Sequence, residues 1–263
     1  MLGASAAAVS ALKGRRRISC LTAYDATMAS LVDRAGIDVI LVGDSAGMVV
    51  MGQDDTLGVG MAEMSLFVSA VAAARPGALV VADMPAGSYA GAAAAASNAA
   101  RLAALGAQAV KVEGGAEVAG QVRAIAARGI GVMGHIGYQP QSGGPRRRGL
   151  TRADADSLVA SAQALEGAGA FAVVLEMLSS EAAGAVTRAV GIPTIGIGSG
   201  PSCDGQVLVL HDMLGVYERL RPAFARRYRD LASEITSAAA EYRADVESGA
   251  FPSSAHSFSM GAA

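Results

Sequence analysis

Four carboxylates stand directly after short apolar segments of this sequence: Asp44, Asp83, Glu113 and Glu176. If these segments are the strands of a parallel barrel, their carboxyl ends open into one mouth and the acids gather there. Carboxylates at close range repel each other unless a cation neutralises them. Oxygen ligands alone favour a hard ion, so the pattern predicts a Mg²⁺ site. A single such acid is more often a helix N-cap, but four together favour the shared site.

Two further side chains belong to the same predicted rim. Lys111 precedes Glu113 by two residues, so both side chains share one face of a strand. Lys111 can pair with the acids and hold a substrate carboxylate; an ion pair that only balances the acids is the alternative. His135 ends the next apolar segment and can donate to a developing oxyanion. A purely structural rim histidine is the alternative for this position.

The elements that position these residues alternate along the chain. Eight short apolar segments, rich in β-branched residues and Leu, predict strands buried on both faces, at residues 18–22, 39–42, 79–82, 109–112, 131–133, 171–175, 194–197 and 206–210. Amphipathic segments lie between them, and a long helix is predicted over 222–248. Eight such units predict an α/β fold, a parallel eight-stranded TIM (β/α)8 barrel with C-terminal helices. An open doubly wound sheet is the alternative, which the lack of a Gly-x-Gly-x-x-Gly motif after the first strand disfavours.

Composition limits the classes of partner. Of the 263 residues, 52% are hydrophobic and 17% charged, which excludes a disordered chain. A net charge of −2 and 4% aromatic residues argue against nucleic acid and anionic membranes as partners. Cys20 and Cys203 are far apart in sequence, which suits a reducing cytoplasm. We expect residues 1–14 to form a flexible arm and residues 15–263 to form a single catalytic domain.

Short motifs give the chain a family resemblance. They occur in order as TAYD (22–25), VGDS (42–45), ADMP (82–85), VKVEGG (110–115), GHIG (134–137), PQS (140–142), LE (175–176), IGIG (195–198) and DGQ (204–206). Each motif is weak alone, but together they resemble the ketopantoate hydroxymethyltransferase family over about residues 15–257.

The resemblance implies a Mg²⁺-dependent TIM-barrel enzyme of pantothenate biosynthesis with 5,10-methylenetetrahydrofolate as co-substrate. Matched residue by residue, the metal would be held by Asp44, Asp83 and Glu113, the last two through water. The 2-oxo acid would be surrounded by Asp44, Ser45, Asp83, Lys111 and His135. Glu176 would be the catalytic base. The family also implies a cytoplasmic homo-oligomer, with a decamer expected.

Alternatives to that activity remain open at this point. Ala86 and the short segment 143–149 depart from the family pattern, which favours a paralogue that hydroxymethylates a different 2-oxo acid. A lyase of the phosphoenolpyruvate mutase/isocitrate lyase type shares a metal-binding barrel, and a non-enzymatic binding module is a third hypothesis. Residues 142–149 contain three Gly and one Pro, so we expect this segment to be mobile without ligand.

Overall fold

The computed structural model describes residues 5–143 and 147–260. The chain divides into two compact units, Met1–Leu210 and His211–Ala263. Of the range 15–263 for which we predicted a single domain, residues 15–210 fall in the larger unit and residues 211–263 in the smaller one. We predicted that residues 142–149 are mobile without ligand. Residues 144–146 of this segment lie outside the described residues.

The larger unit is a closed parallel barrel in which each strand pairs with the next and the eighth pairs with the first. This confirms the predicted TIM-barrel fold. The strands are β1 Ile18–Thr22, β2 Val39–Val42, β3 Leu79–Asp83, β4 Ala109–Glu113, β5 Gly131–Gly137, β6 Ala172–Glu176, β7 Thr194–Ile197 and β8 Gly205–Leu208.

Alternate residues of each strand face the inside of the barrel. The interior core includes Leu79 and Val81 of β3, Ala109 of β4 and Met133 of β5. Because side chains alternate with a period of two, the residues two positions further along each strand lie on the same inner face. At the carboxyl ends of β3 to β6 these inner positions are polar or charged, so the apolar interior ends in a polar mouth.

Helices follow most of the strands. Their bounds are α1 Ala6–Ser10, α2 Ala26–Arg34, α3 Ala46–Val49, α4 Met61–Ala73, α5 Ala92–Ala104, α6 Ala119–Ala126, α7 Arg152–Gly167, α8 Ser180–Ala189, α9 Leu210–Leu214 and α10 Leu231–Ser248. Side-chain caps fix several starts: Asp25 accepts from the Met28 amide and Ser179 from that of Ala182. The long helix predicted from residue 222 begins only at Leu231.

The N-terminal segment differs from the predicted flexible arm. Residues Ala6–Ser10 form α1, whose start is capped by the Ser5 hydroxyl. Val9 is 2% exposed and belongs to the barrel core, with Leu12 packed against the same core. The three-residue spacing of Val9 and Leu12 places both on one side of a helical turn, so the described part of the arm is folded.

The C-terminal unit contains α10 and a small aromatic group. Tyr242 packs edge-on against Phe251, and Phe251 lies 5.1 Å from the His256 ring. Burial raises the pKa of Asp212 to about 6, although Arg227 opposes this shift. Within the described residues of the whole chain, every helix is too short or too polar to span a bilayer.

Candidate active site

The strand register sets the predicted residues side by side. Asp83 pairs in register with Lys111, and Glu113 pairs with His135. All four side chains are buried, each less than 9% exposed. Glu176 ends β6 opposite Gly137 and is more accessible. The structure thus brings the predicted acids of β3, β4 and β6 to one mouth, together with Lys111 and His135.

Lys111 forms the central cation of this group. Its Nζ lies 2.5 Å from Asp83 Oδ1. Burial alone would lower the pKa of Lys111, but the charges of Asp83, Asp44 and Glu113 raise it well above its usual value. Lys111 therefore remains an ammonium ion near neutral pH.

The carboxylates outnumber this one cation. Burial raises the pKa of Asp83 to about 6; the charge of Asp44 adds to the shift and Lys111 opposes it. Burial also raises the pKa of Glu113, again with a contribution from Asp44. Asp44 itself is joined to Asp83, because its backbone amide donates to Asp83 Oδ2 at 3.0 Å. The group holds more negative charge than the protein neutralises.

His135 lies between the acid group and Glu176. Its Nδ1 is 3.4 Å from Lys111 Nζ and 3.5 Å from Glu113 Oε2. Its Nε2 is 3.2 Å from Glu176 Oε2. Nε2 makes no hydrogen bond within the described residues, and Nδ1 faces both the Lys111 ammonium and the Glu113 carboxylate.

Three local backbone features hold Glu176 at the end of β6. A Cβ on Gly137, where φ is +109°, would lie 2.2 Å from the Glu176 carbonyl oxygen, so only glycine permits this approach of β5 to β6. The Tyr138 amide donates to that oxygen at 2.8 Å. Met177 then turns the chain with φ of +55°, a conformation that is rare outside glycine.

Ser45 lies beside the acids, at the loop after β2. Its hydroxyl is 2.9 Å from the Tyr24 hydroxyl, and the side chain is partly exposed. Either hydroxyl of this pair can be the donor. Asp25, the last residue of the TAYD motif, caps the start of α2.

Gln141 is a member of the site to which the sequence assigned no role. Its side-chain amide donates to Asp44 Oδ2 and to the Met84 carbonyl, and its backbone amide donates to Glu113 Oε1. Tyr89 donates its hydroxyl to Gln141 Oε1 at 2.5 Å. Both residues lie in loops, where no periodic pattern marks them; the PQS motif around Gln141 was the only available signal.

Comparison with known proteins identifies the family of this chain. The family model for ketopantoate hydroxymethyltransferase matches residues 5–254. A 3-methyl-2-oxobutanoate hydroxymethyltransferase of Cenarchaeum symbiosum (strain A) is 54% identical over 256 residues, which cover 95% of this chain and 97% of that protein. The chain belongs to the ketopantoate hydroxymethyltransferase family. A relative of the same name from Nitrosopumilus maritimus (strain SCM1) is 49% identical over 253 residues, which cover 94% of this chain and 91% of that protein.

Solved structures add a likeness of fold. A 2,3-dimethylmalate lyase, described as a member of the phosphoenolpyruvate mutase/isocitrate lyase superfamily, superposes with a TM-score of 0.63. It is 17% identical, and the match covers 95% of this chain and 89% of the lyase. This chain has the same barrel fold as the lyase. At 17% identity the likeness extends to the fold alone.

The donor chemistry of the site suits a hard divalent cation. Asp44, Asp83 and Glu113 offer only oxygen ligands, and their negative charge exceeds that of Lys111. Within residues 5–143 and 147–260, no three His, Cys, Asp or Glu side chains converge closely enough to enclose an ion directly. This spacing is compatible with Mg²⁺, which usually keeps several of its waters between itself and the protein.

Proposed function

We propose that this enzyme transfers a hydroxymethyl group from 5,10-methylenetetrahydrofolate to 3-methyl-2-oxobutanoate in a Mg²⁺-dependent reaction. The product would be 2-dehydropantoate, a precursor of pantothenate and coenzyme A. Family membership supports the reaction class, and the observation that carries the mechanism is the separation of Glu176 from the acid group by His135. One carboxylate is thereby kept apart from the others at the same mouth.

The metal would be held by Asp44 directly and by Asp83 and Glu113 through water. When bound, Mg²⁺ supplies a Lewis acid that withdraws electron density from the 2-oxo group of the substrate. Lys111 and Ser45 are the donors available for the substrate carboxylate. The raised pKa of Lys111 suits this role because the ammonium form persists.

Glu176 would act as the general base. It removes the proton from C3 of the 2-oxo acid, and the resulting carbon nucleophile forms a C–C bond to the methylene carbon of the folate. The two C–N bonds of that methylene carbon break, water supplies its hydroxyl group, and the other proton of water and the proton taken from C3 end on the two nitrogens of the tetrahydrofolate that leaves. His135 Nε2 lies 3.2 Å from Glu176 Oε2 without forming a hydrogen bond to it, so the ring is a close neighbour of the base.

The experiment that tests this function follows exchange at C3. The enzyme is incubated in D₂O with Mg²⁺ and a panel of 2-oxo acids, without folate, and loss of the C3 proton is followed by NMR. We expect the fastest exchange with 3-methyl-2-oxobutanoate, and formation of 2-dehydropantoate once methylenetetrahydrofolate is added. Faster exchange and product formation with another acid would identify a divergent paralogue.

The same experiment separates the remaining alternatives. A lyase of the phosphoenolpyruvate mutase/isocitrate lyase type would cleave its substrate without folate, so cleavage products would appear in the same spectra. A binding module would leave every acid unchanged. Either result would refute the proposed activity.

Assembly and location are part of the same proposal. We propose a cytoplasmic homo-oligomer, with a decamer as the expected state. Sedimentation velocity of the full chain measures the assembly, and a sedimenting species of one chain would contradict it.

A further inference from the structure

The side chain of Gln141 is held on three sides at the mouth of the barrel. Its Nε2 lies 2.9 Å from Asp44 Oδ2 and 3.1 Å from the Met84 carbonyl oxygen. Its Oε1 accepts from the Tyr89 hydroxyl at 2.5 Å. The loop after β5 is thereby joined to the loops after β2 and β3 through one amide group.

These partners permit only one orientation of the amide. A rotation that exchanged Oε1 and Nε2 would place Oε1 against two other acceptors, the Asp44 carboxylate and the Met84 carbonyl. It would also turn the amide nitrogen, which only donates, toward the Tyr89 hydroxyl. Burial raises the pKa of Tyr89, with the charge of Glu113 adding to the shift, so the hydroxyl keeps its proton and remains a donor. The two acceptors, Asp44 and the Met84 carbonyl, thus fix which end of Gln141 faces Asp44, and the Tyr89 hydroxyl holds the opposite end by donating to Oε1.

We propose that Tyr89 and Gln141 are a positioning pair that holds the Asp44 carboxylate in the orientation needed for the metal. Gln141 donates to Asp44 Oδ2 and would thereby restrain the rotation of the carboxylate that is to hold the metal. Tyr89 acts on Asp44 only through Gln141. This inference rests on the proposed function, because it assigns the pair a task at that metal site.

The pair is expected to control metal affinity more than the chemical step. Residues that orient a metal ligand commonly change affinity 10- to 100-fold when they are removed. Gln141→Met keeps the side-chain length but removes both amide partners, and should raise the Mg²⁺ Kd about 10- to 100-fold. Tyr89→Phe removes only the hydroxyl and should raise it about 3- to 10-fold. In both variants saturating Mg²⁺ should restore C3 exchange to within about threefold of wild type.

The test is calorimetric titration of Mg²⁺ into each variant in the presence of 3-methyl-2-oxobutanoate. Because Tyr89 acts through Gln141, the double variant should bind Mg²⁺ as Gln141→Met does. Tyr242→Phe and Gln163→Met make the same chemical changes at exposed positions and serve as matched controls. Both controls should retain the wild-type Kd.

Three results would overturn the positioning role: an unchanged Kd in Tyr89→Phe, additive losses in the double variant, or loss of exchange that saturating Mg²⁺ does not restore. The backbone amide of Gln141 still reaches Glu113 Oε1 in these variants, so the loop keeps one anchor. Failure of the wild-type enzyme to bind Mg²⁺ or exchange the C3 proton would refute the proposed function itself. The two failures are therefore distinguishable.

Discussion

His135 is the residue that joins the two parts of the site. One ring nitrogen faces Lys111 and Glu113, and the other faces Glu176. The ring is 2% exposed, so water does not replace these neighbours easily. A substitution at His135 would therefore disturb the acid group and the base together. Substitutions of Glu176 and of Asp83, which lie on opposite sides of the ring, separate the role of the base from the role of the acid group.

Glu176→Gln tests the base. The variant keeps the side-chain shape but loses the basic carboxylate, so binding of Mg²⁺ with the 2-oxo acid should stay near normal. C3 exchange should slow by roughly two to four orders of magnitude, the usual contribution of a positioned general base. Calorimetry and NMR exchange rates measure the two effects. Loss of Mg²⁺ binding, or exchange at the wild-type rate, would make His135 the next candidate.

Asp83→Asn tests the acid group by the same measurements. The variant removes negative charge beside Lys111, so Mg²⁺ affinity should fall. Part of the exchange rate should return at high Mg²⁺, which distinguishes a metal-site residue from a base. An exchange rate that stays low at every Mg²⁺ concentration would contradict this assignment.

At the scale of elements, the sequence predicts the strands closely because apolar runs mark them. The segments predicted at 18–22, 39–42 and 194–197 match β1, β2 and β7 at both ends. β5 shows where the pattern fails: the prediction stops at residue 133, whereas the strand continues to Gly137. The last residues of a barrel strand form the polar mouth, so apolarity ends before the strand does.

The same reasoning explains which site residues the sequence could identify. Lys111 lies in a predicted strand, and Glu113 and His135 follow predicted strands by one and two residues, so continued strand alternation places them together. Gln141 and Tyr89 lie in loops whose paths depend on tertiary contacts. Helix α1 was missed because five residues with many Ala carry little amphipathic signal, although Val9 is buried.

Gly137→Ala tests the close approach of β5 to β6. The added methyl group would meet the Glu176 carbonyl at a positive φ, so stability should fall by at least about 1–3 kcal/mol. Glu176 should move with its backbone, and C3 exchange should slow at least about tenfold. Gly129→Ala is the matched control, because φ is also positive there but the methyl group meets nothing within 4 Å. Equal effects of the two variants on exchange would contradict the argument.

Asp212 gives the C-terminal unit a dependence on pH. Its pKa of about 6 in the folded protein lies above the ordinary value of 3.8, so the folded state holds the proton more tightly than the unfolded chain. Its contribution to stability is therefore complete below pH 3.8 and lost as the pH rises through about 6. Asp212→Asn should abolish this loss, as measured by urea unfolding between pH 4 and 7. If the free energy of unfolding changed with pH equally in the variant and the wild type, the prediction would be wrong.

At the scale of the whole molecule, the two ends of the barrel differ in chemistry. The end of the barrel formed by the carboxyl ends of the strands carries the buried charges. Val9 of α1 belongs to the same core as Ile18 and Phe171, which lie where strands start. A Cβ on Gly131, the first residue of β5, would lie 2.8 Å from that of Ala6. Helix α1 therefore covers the end of the barrel opposite the site.

Val9→Ala separates these two ends. The variant removes buried apolar volume, so the free energy of unfolding should fall by about 1–3 kcal/mol. C3 exchange measured well below the unfolding transition should stay within about twofold of wild type. Val246→Ala, at a residue 47% exposed, is the control and should leave stability nearly unchanged. A loss of exchange as large as that of Gly137→Ala would show that the ends are not independent.

The single ammonium of Lys111 among three carboxylates has a consequence for how a bound cation and a bound anion affect each other's affinity. A divalent cation that binds alone experiences repulsion from Lys111, and an anion that binds alone experiences repulsion from the carboxylates. When both are present, the anion partners Lys111 and the cation partners the acids. Each therefore increases the affinity of the other, and by linkage the two factors are equal. We therefore expect the cation and the anion to bind this site cooperatively.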